Sequence, residues 1–173
     1  NYVQHGEDIP RRFEFMKPVL DSLKNKKGKK YCEVRMGLTQ DLSPCSFTSK
    51  QVWWRGIADL IIIDDTKAWV IDYKSSKSAK YADKGQLELM ALSVFSYMPK
   101  IDTINAGLLF VVCKQLITES YTRPRRENDL EVKYRDKFSQ MVIASDNNVW
   151  NPNPSGLCRA WCDVLECAHN GRN

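Results

Sequence analysis

Three charged residues in the middle of the chain have the types and spacing needed to cut a phosphodiester bond. Asp59 ends the stretch Arg-Gly-Ile-Ala-Asp, and Asp72 and Lys74 belong to Ile-Asp-Tyr-Lys. A turn between Asp65 and Thr66 places Asp59 opposite Asp72 on neighbouring strands, with Cβ atoms about 5 Å apart and Lys74 on the same face. Two opposed carboxylates can share a proton or bind a hard cation such as Mg²⁺ or Mn²⁺. With a lysine beside them, they form a set that can hydrolyse a phosphate ester.

A simpler interpretation of the same residues needs no metal. In a short hairpin at the edge of a sheet, Asp72 and Lys74 would form an ordinary surface ion pair. The flanking positions, however, are mostly Ile, Leu, Val, Ala and Trp, so we expect the hairpin to be buried on both faces. Because unpaired buried charge is costly, we favour the metal site.

The surrounding sequence predicts the elements that position these residues. Helical spacing follows Pro10, with a kink or break at Pro18, and recurs over 86–98 and 130–142; strands are predicted over 31–38, 53–63, 67–74 and 106–116. Three consecutive strands predict an antiparallel meander, to which the next helix and strand add a parallel partner. The predicted fold class is therefore α/β, a mixed β-sheet flanked by helices.

Composition limits the class of protein. With 173 residues, 43% of them hydrophobic and 27% charged, the chain can bury a core and is unlike disordered, collagen-like or small disulfide-bonded proteins. No apolar run approaches the roughly 20 residues of a membrane span. Without a signal peptide at its start, we expect a cytoplasmic protein. The net charge of +5 is compatible with a polyanionic partner.

The last part of the chain is rich in cysteine. Cys158, Cys162, Cys167 and His169 lie within twelve residues, and three thiolates with one imidazole suit a tetrahedral Zn²⁺ ion. We therefore divide the chain into a core over residues 1–149 and a metal-binding tail over residues 150–173. The alternative is three thiols without a ligand.

The motifs around the carboxylates resemble those of a nuclease superfamily. Arg-Gly-Ile-Ala-Asp, Asp-Tyr-Lys-Ser-Ser-Lys and Gln86-Leu87 are similar to motifs of the RecB-like branch of the PD-(D/E)XK nucleases, in particular phage-encoded exonucleases and CRISPR-associated RecB-like nucleases. The resemblance implies a restriction-endonuclease-like fold. It also implies that Asp59 and Asp72 bind Mg²⁺ or Mn²⁺ and that Lys74 is the catalytic lysine.

Other positions match the family only in part. The resemblance implies that Glu33 supports the metal site and that Gln86 holds DNA near it, although Met90 stands where the family has tyrosine. The competing interpretations are that Glu33 pairs with an arginine and that Gln86 is an amide at a helix start. Relatives also carry a metal-binding histidine on an early helix. We expect that helix upstream of Asn1, and His5 is a poor substitute.

The resemblance adds an alternative for the tail. Several RecB-like nucleases hold an iron–sulfur cluster with three late cysteines and one far upstream. Here the upstream cysteine is either missing or is Cys32 or Cys45. Zinc and an iron–sulfur cluster therefore both remain open.

The function implied by the resemblance is a metal-dependent DNA nuclease, an exonuclease in phage recombination or DNA turnover, with an annealing protein or helicase as partner. The rivals are a structure-specific or nonspecific endonuclease and a noncatalytic DNA-binding module with a degenerate site. The sequence leaves the oligomeric state open. The residues predicted to contact DNA are Arg55, Tyr73, Lys77, Arg123, Arg125 and Arg126.

Overall fold

The computed structural model describes residues 11–80, 82–123 and 129–172. A 3-10 helix, Arg11–Met16, leads directly into helix α1, Lys17–Asn25. The elements that follow in chain order are β1 Lys29–Leu38, β2 Pro44–Cys45, β3 Trp54–Asp64, β4 Lys67–Lys74, α2 Lys84–Tyr97, β5 Thr103–Phe110, β6 Gln115–Thr122, α3 Asp129–Asp146 and a second 3-10 helix, Gly156–Arg159.

The strands of the described residues form one mixed sheet in the order β2-β1-β3-β4-β5-β6. Neighbouring strands are antiparallel except β4 and β5, which are parallel. Helix α2 connects these two strands, because a parallel pair needs a crossover connection. The predicted mixed α/β sheet, with a meander followed by a helix and a parallel strand, is confirmed.

Two predicted elements differ in detail. The strand predicted over 106–116 is wrong, since β5 ends at Phe110 and β6 begins at Gln115 after a turn in which Lys114 has a φ of 58°. Apolar residues continue through this turn because Val111 and Cys113 still pack against the core, so the run hides the hairpin. Pro18 separates two helical pieces, as one of the predicted alternatives had it. It lies in the first turn of α1, where its missing N–H costs nothing.

Helices cover both faces of the sheet. Helix α2 packs against one face through residues such as Leu87, Met90 and Val94, which are almost completely buried with the apolar side chains of β4 and β5. Residues of α1 and the preceding 3-10 helix pack against the other face, around Met16 and Ile71. Burial of each such side chain is worth about 1.5–3 kcal/mol, so these layers fix the sheet on which the charged residues lie.

The chain divides into two compact units, residues 1–135 and 136–173, with the division inside α3. The boundary that we place at 149/150 from the sequence remains a prediction. Within the ranges that the structure describes, no helix has both the length and the apolar character required to cross a bilayer.

Candidate active site

Asp72 lies near the carboxyl end of β4, below the start of α2, and is 7% exposed. Its Oδ1 accepts a hydrogen bond from Gln86 Nε2 at 3.0 Å, and Lys74 Nζ lies 2.7 Å from its Oδ2. The ammonium balances the charge, yet Oδ2 is fully buried and receives no well-aligned hydrogen bond from any described residue. A carboxylate oxygen has two lone pairs, so beside the Lys74 ammonium this oxygen keeps acceptor capacity that a cation can use.

Asp59 lies next to Asp72 at the point where the hairpin opens. The β3–β4 register pairs Asp64 with Lys67 and Leu60 with Ile71, as the predicted turn requires, so Asp59 and Asp72 come next in line. The backbone ladder ends one residue before them. Asp59 Oδ2 instead accepts a hydrogen bond from the Tyr73 backbone N–H at 2.6 Å. The Asp59 side chain, not the β3 main chain, therefore holds β4 here.

The strand on the other side of β3 is irregular at the same level. Cys32 pairs with Leu60 and Val34 pairs with Ala58, which puts Glu33 opposite Asp59, but the pairing skips this position. Glu33 has a φ of 53°, a left-handed conformation that is uncommon for a residue with a side chain. Such strain persists only where the surrounding structure enforces it, and it is frequent at functional sites.

This irregularity changes which side chains face α2. On β3, Ala58 and Ile61 pack in the same core cluster as α2, although simple alternation would send them to opposite faces. The alternation therefore shifts by one residue between them, while the β1–β3 register is the same on both sides of Glu33 and Asp59, so no residue is inserted as it would be at a β-bulge. Asp59 lies inside the shifted stretch, so period-two counting alone could not have placed it.

Gln86 reaches Asp72 from the first turn of α2. The side chain of Asp83 caps this helix by accepting a hydrogen bond from the Gly85 N–H at 2.8 Å. The cap fixes where the helix starts and hence where Gln86 lies. Met90, one turn further on, is 2% exposed and belongs to the core, so it takes no part in the site.

Several exposed residues lie on the strands and the loop that carry the carboxylates. Tyr73 is 37% exposed, and burial of its ring together with the nearby Asp59 carboxylate raises the pKa of its phenol. The Arg55 guanidinium lies 5.8 Å from the ring centroid of Phe47, and that of Arg35 lies 5.6 Å from it. Among the described residues, neither arginine forms an ion pair with Glu33. Lys77 is exposed in the loop after β4.

Arg123, a predicted DNA contact, has a different role in the structure. Its Nε donates to the Ile101 carbonyl at 2.7 Å, and its Nη2 donates to the carbonyls of Phe95 and Met98 at 2.7 and 2.9 Å. The guanidinium also lies 4.7 Å from the Phe95 ring centroid. It therefore closes the carboxyl end of α2, and we remove it from the DNA-contacting set. Arg125, Arg126 and His5 lie outside the described residues.

The tail does not assemble the proposed metal site. Cys158, Cys162 and Cys167 are half-buried, and His169 is exposed. In residues 11–80, 82–123 and 129–172, no three His, Cys, Asp or Glu side chains are grouped so that they could hold a metal ion. The structure therefore does not confirm a metal-binding tail.

Asn170 organises the tail instead. It is 5% exposed, and its Nδ2 donates to the carbonyls of Cys162 and Val164 at 3.1 and 2.8 Å. Its backbone N–H donates to the Cys167 carbonyl and that of Gly171 to the Cys158 carbonyl, both at 2.9 Å. The backbone carbonyls of all three cysteines thus accept hydrogen bonds from Asn170 or Gly171. Asparagine often bonds to nearby backbone, but no sequence signal distinguishes this one.

Comparison with known proteins adds little. No protein-family model matches the chain, and no curated protein does. Among solved structures, the crystal structure of SSO0001 is similar over 91% of this chain and 69% of that chain, with 14% sequence identity and a TM-score of 0.44. A likeness of this size supports no conclusion about function, so the functional argument rests on the site itself.

Proposed function

We propose that this chain is a metal-dependent deoxyribonuclease that hydrolyses phosphodiester bonds with a metal-activated water. The observation that supports this most is the state of Asp72. It is buried next to Asp59 where the hairpin opens, and one of its oxygens lacks an aligned donor. A fully buried carboxylate oxygen that accepts no aligned hydrogen bond is uncommon.

The donor set fits a hard cation. Asp59 and Asp72 offer carboxylate oxygens, and Mg²⁺ is usually bound by one or two carboxylates together with water and substrate phosphate. No cluster of three acidic or soft ligands stands near them among the described residues, which disfavours an all-protein cage of the zinc type. Asp59 and Asp72 would therefore hold Mg²⁺ or Mn²⁺. When bound, such an ion supplies a Lewis acid and a more acidic water.

The protein contributes orientation and positive charge. The Lys74 side chain is 31% exposed, whereas that of Asp72 is 10% exposed. The Lys74 ammonium is therefore accessible to a phosphate group of the substrate, while the Asp72 carboxylate stays buried. Charge that develops on the phosphate is stabilised by such a positioned cation. Gln86 and the Tyr73 N–H each hold one carboxylate in place and are positioning groups. The supporting role of Glu33 rests on the family resemblance alone.

DNA would lie across the exposed residues around this pair. Arg55 and Lys77 supply positive charge for the phosphates, and the exposed ring of Tyr73 offers a face on which a base can stack. Arg125 and Arg126 remain predictions of the sequence.

The narrower role rests on the family resemblance alone. It favours an exonuclease of phage recombination or DNA turnover that works in the cytoplasm with an annealing protein or helicase. An endonuclease is the nearer rival. A noncatalytic DNA-binding module is favoured by one observation, the burial of Met90 where the family has tyrosine.

The tail keeps its proposed cofactor, zinc or an iron–sulfur cluster. What supports it is the sequence spacing of Cys158, Cys162, Cys167 and His169. Elemental analysis of purified protein should find about one zinc, or several irons with a brown colour, per chain. Protein without zinc or iron would leave three ordinary thiols.

Digestion of end-labelled linear and covalently closed DNA tests the proposal. With Mg²⁺ or Mn²⁺ the protein should degrade linear DNA, and EDTA should stop it; cleavage of closed circles would identify an endonuclease. Lys74→Ala should lower the single-turnover rate about 10²-fold with little change in DNA affinity. Lys100→Ala, another exposed lysine, is the matched control. A wild type that binds DNA but cleaves neither form with either metal would refute the nuclease.

A further inference from the structure

A pocket of about 400 Å³ adjoins the candidate active site. It is formed by the loop after β4 together with the β5–β6 turn and the start of β6. Its lining residues are Lys77, Ser78, Ala79, Lys80, Cys113, Gln115 and Ile117. Pockets of this size are large enough to bury a small ligand.

The strand register places this pocket on the same face of the sheet as Asp72 and Lys74. Lys74 pairs with Phe110, which pairs with Gln115, and in the next row Asp72 and Ile117 flank Leu108. Residues that pair across strands point to the same face. Because strands are about 4.8 Å apart, Gln115 lies about 10 Å from Lys74.

The lining chemistry suits a phosphate with an apolar neighbour. Lys77 and Lys80 bring two positive charges, and none of the seven lining residues is acidic. The Ser78 hydroxyl oxygen accepts a hydrogen bond from the Lys80 backbone N–H at 3.1 Å, which leaves its own proton for another acceptor. Apolar atoms of Cys113 and Ile117, which pack against the core, line the other side.

We infer that this pocket is a strand-binding subsite, which holds one phosphate and the attached sugar or base of the DNA strand. The inference rests on the proposed nuclease function. A separation of about 10 Å between the backbone positions is short enough for one DNA strand to contact both Lys74 and the pocket. The subsite would hold the strand in line while Asp59, Asp72 and Lys74 act on it.

Binding of fluorescent single-stranded oligonucleotides in Ca²⁺, with cleavage measured separately in Mg²⁺, tests the subsite. Lys77→Ala with Lys80→Ala should weaken binding about tenfold or more, because charge-assisted contacts to a phosphate are lost. The slope of log K against log salt should fall by about 0.7 if one phosphate contact disappears. Lys100→Ala removes an exposed lysine elsewhere and should leave both values unchanged.

A second pair of variants tests the cavity rather than the charge. Cys113→Trp should fill the pocket and weaken binding by about tenfold, whereas Cys113→Ser leaves the space open and should bind like the wild type. The lysine variants lie on the surface and keep the test valid should the tryptophan disturb folding. If both the lysine pair and Cys113→Trp bind with wild-type affinity, the subsite does not exist.

Oligonucleotides with a 5′-phosphate, a 3′-phosphate, no terminal phosphate, or closed into a circle identify the phosphate. If the pocket variants lose affinity only for oligonucleotides with one kind of phosphorylated end, the pocket binds a terminal phosphate. If they lose as much affinity for circles, the pocket binds an internal phosphate. The two proposals fail separately. If the pocket variants bind DNA with wild-type affinity and the wild type cleaves DNA, only the subsite is overturned. If the pocket variants bind DNA more weakly but the wild type cleaves nothing in Mg²⁺ or Mn²⁺, only the nuclease is overturned.

Discussion

Asp72 and Arg123 are charged groups at opposite ends of the sheet, and the protein treats them differently. Arg123 follows β6 and directs three hydrogen bonds at main-chain carbonyls of the α2 end and the residues after it. Asp72, near the end of β4, has one amide donor, one ammonium at ion-pair distance, and an oxygen without an aligned donor.

This difference separates a structural charge from one that is ready to bind. A guanidinium whose donors are used up stabilises the fold and has little left to offer a ligand. A buried carboxylate with unused acceptor capacity is costly in the free protein, and a cation can relieve that cost. Residue type alone would place both Asp72 and Arg123 in the predicted nuclease site. The number of hydrogen-bond partners that a charged group already has is therefore a better guide to its role than the residue type.

The largest expected effect is at Asp72. Asp72→Asn keeps the shape but removes the charge, so we expect cleavage to fall about 10³-fold while DNA affinity stays within a few-fold. Single-turnover cleavage and equilibrium binding measure the two quantities. Asp64→Asn, at the other end of the same hairpin, removes a carboxylate that pairs with Lys27 at 3.8 Å and should cleave normally. Asp72→Asn with activity within a few-fold of the wild type would show that this carboxylate is structural too.

Arg123 should show the opposite behaviour. Arg123→Ala leaves several carbonyls at the end of α2 without a donor, so the free energy of unfolding should fall by about 2 kcal/mol in denaturant titrations. The cleavage rate per folded molecule and the affinity for DNA should not change. Lower DNA affinity at unchanged stability would return Arg123 to the DNA-contacting set and remove the contrast.

A smaller effect is expected at Glu33. Glu33→Gly removes the steric strain of the left-handed backbone conformation, whereas Glu33→Ala keeps it. The free energy of unfolding of Glu33→Gly should therefore be about 1 kcal/mol higher than that of Glu33→Ala. Both variants lack the carboxylate, so a common loss of cleavage would assign that loss to its charge. Equal stability of the two variants would mean that the backbone at Glu33 is not strained.

Much of the sheet could be predicted from the sequence, because register follows from the turn at Asp65–Thr66 and from the apolar pattern. The parallel placement of β5 follows from the intervening helix. The β5–β6 hairpin could not be predicted, since apolar residues run through its turn. The end of the β3–β4 pairing at Asp59 could not be predicted either. Counting alternate side chains along a strand assumes regular strands, and the irregularity begins at Glu33 on another strand.

The charged residues divide in the same way. Gln86 and Lys74 both contact Asp72, and Asp59 bonds to the next residue of β4, because rigid strands and a capped helix carry these side chains. The tail cysteines lie on irregular backbone, where spacing does not determine side-chain positions. Arg123 was misplaced because its partners are main-chain carbonyls, which no side-chain motif reveals.

The central claim is that Asp59 and Asp72 together bind a divalent cation, and thermal melts with Mn²⁺ test it most directly. Binding to the native state alone stabilises it by about 2.7 kcal/mol at a hundredfold excess over Kd, so the Tm of the wild type should rise with Mn²⁺ and return with EDTA. Asp59→Asn can still accept the Tyr73 N–H. It should be no less stable than the wild type without metal and should lose most of the rise, whereas Asp64→Asn should keep it. A wild-type Tm that does not change with Mn²⁺, or an equal rise of Tm in Asp59→Asn, would contradict the claim.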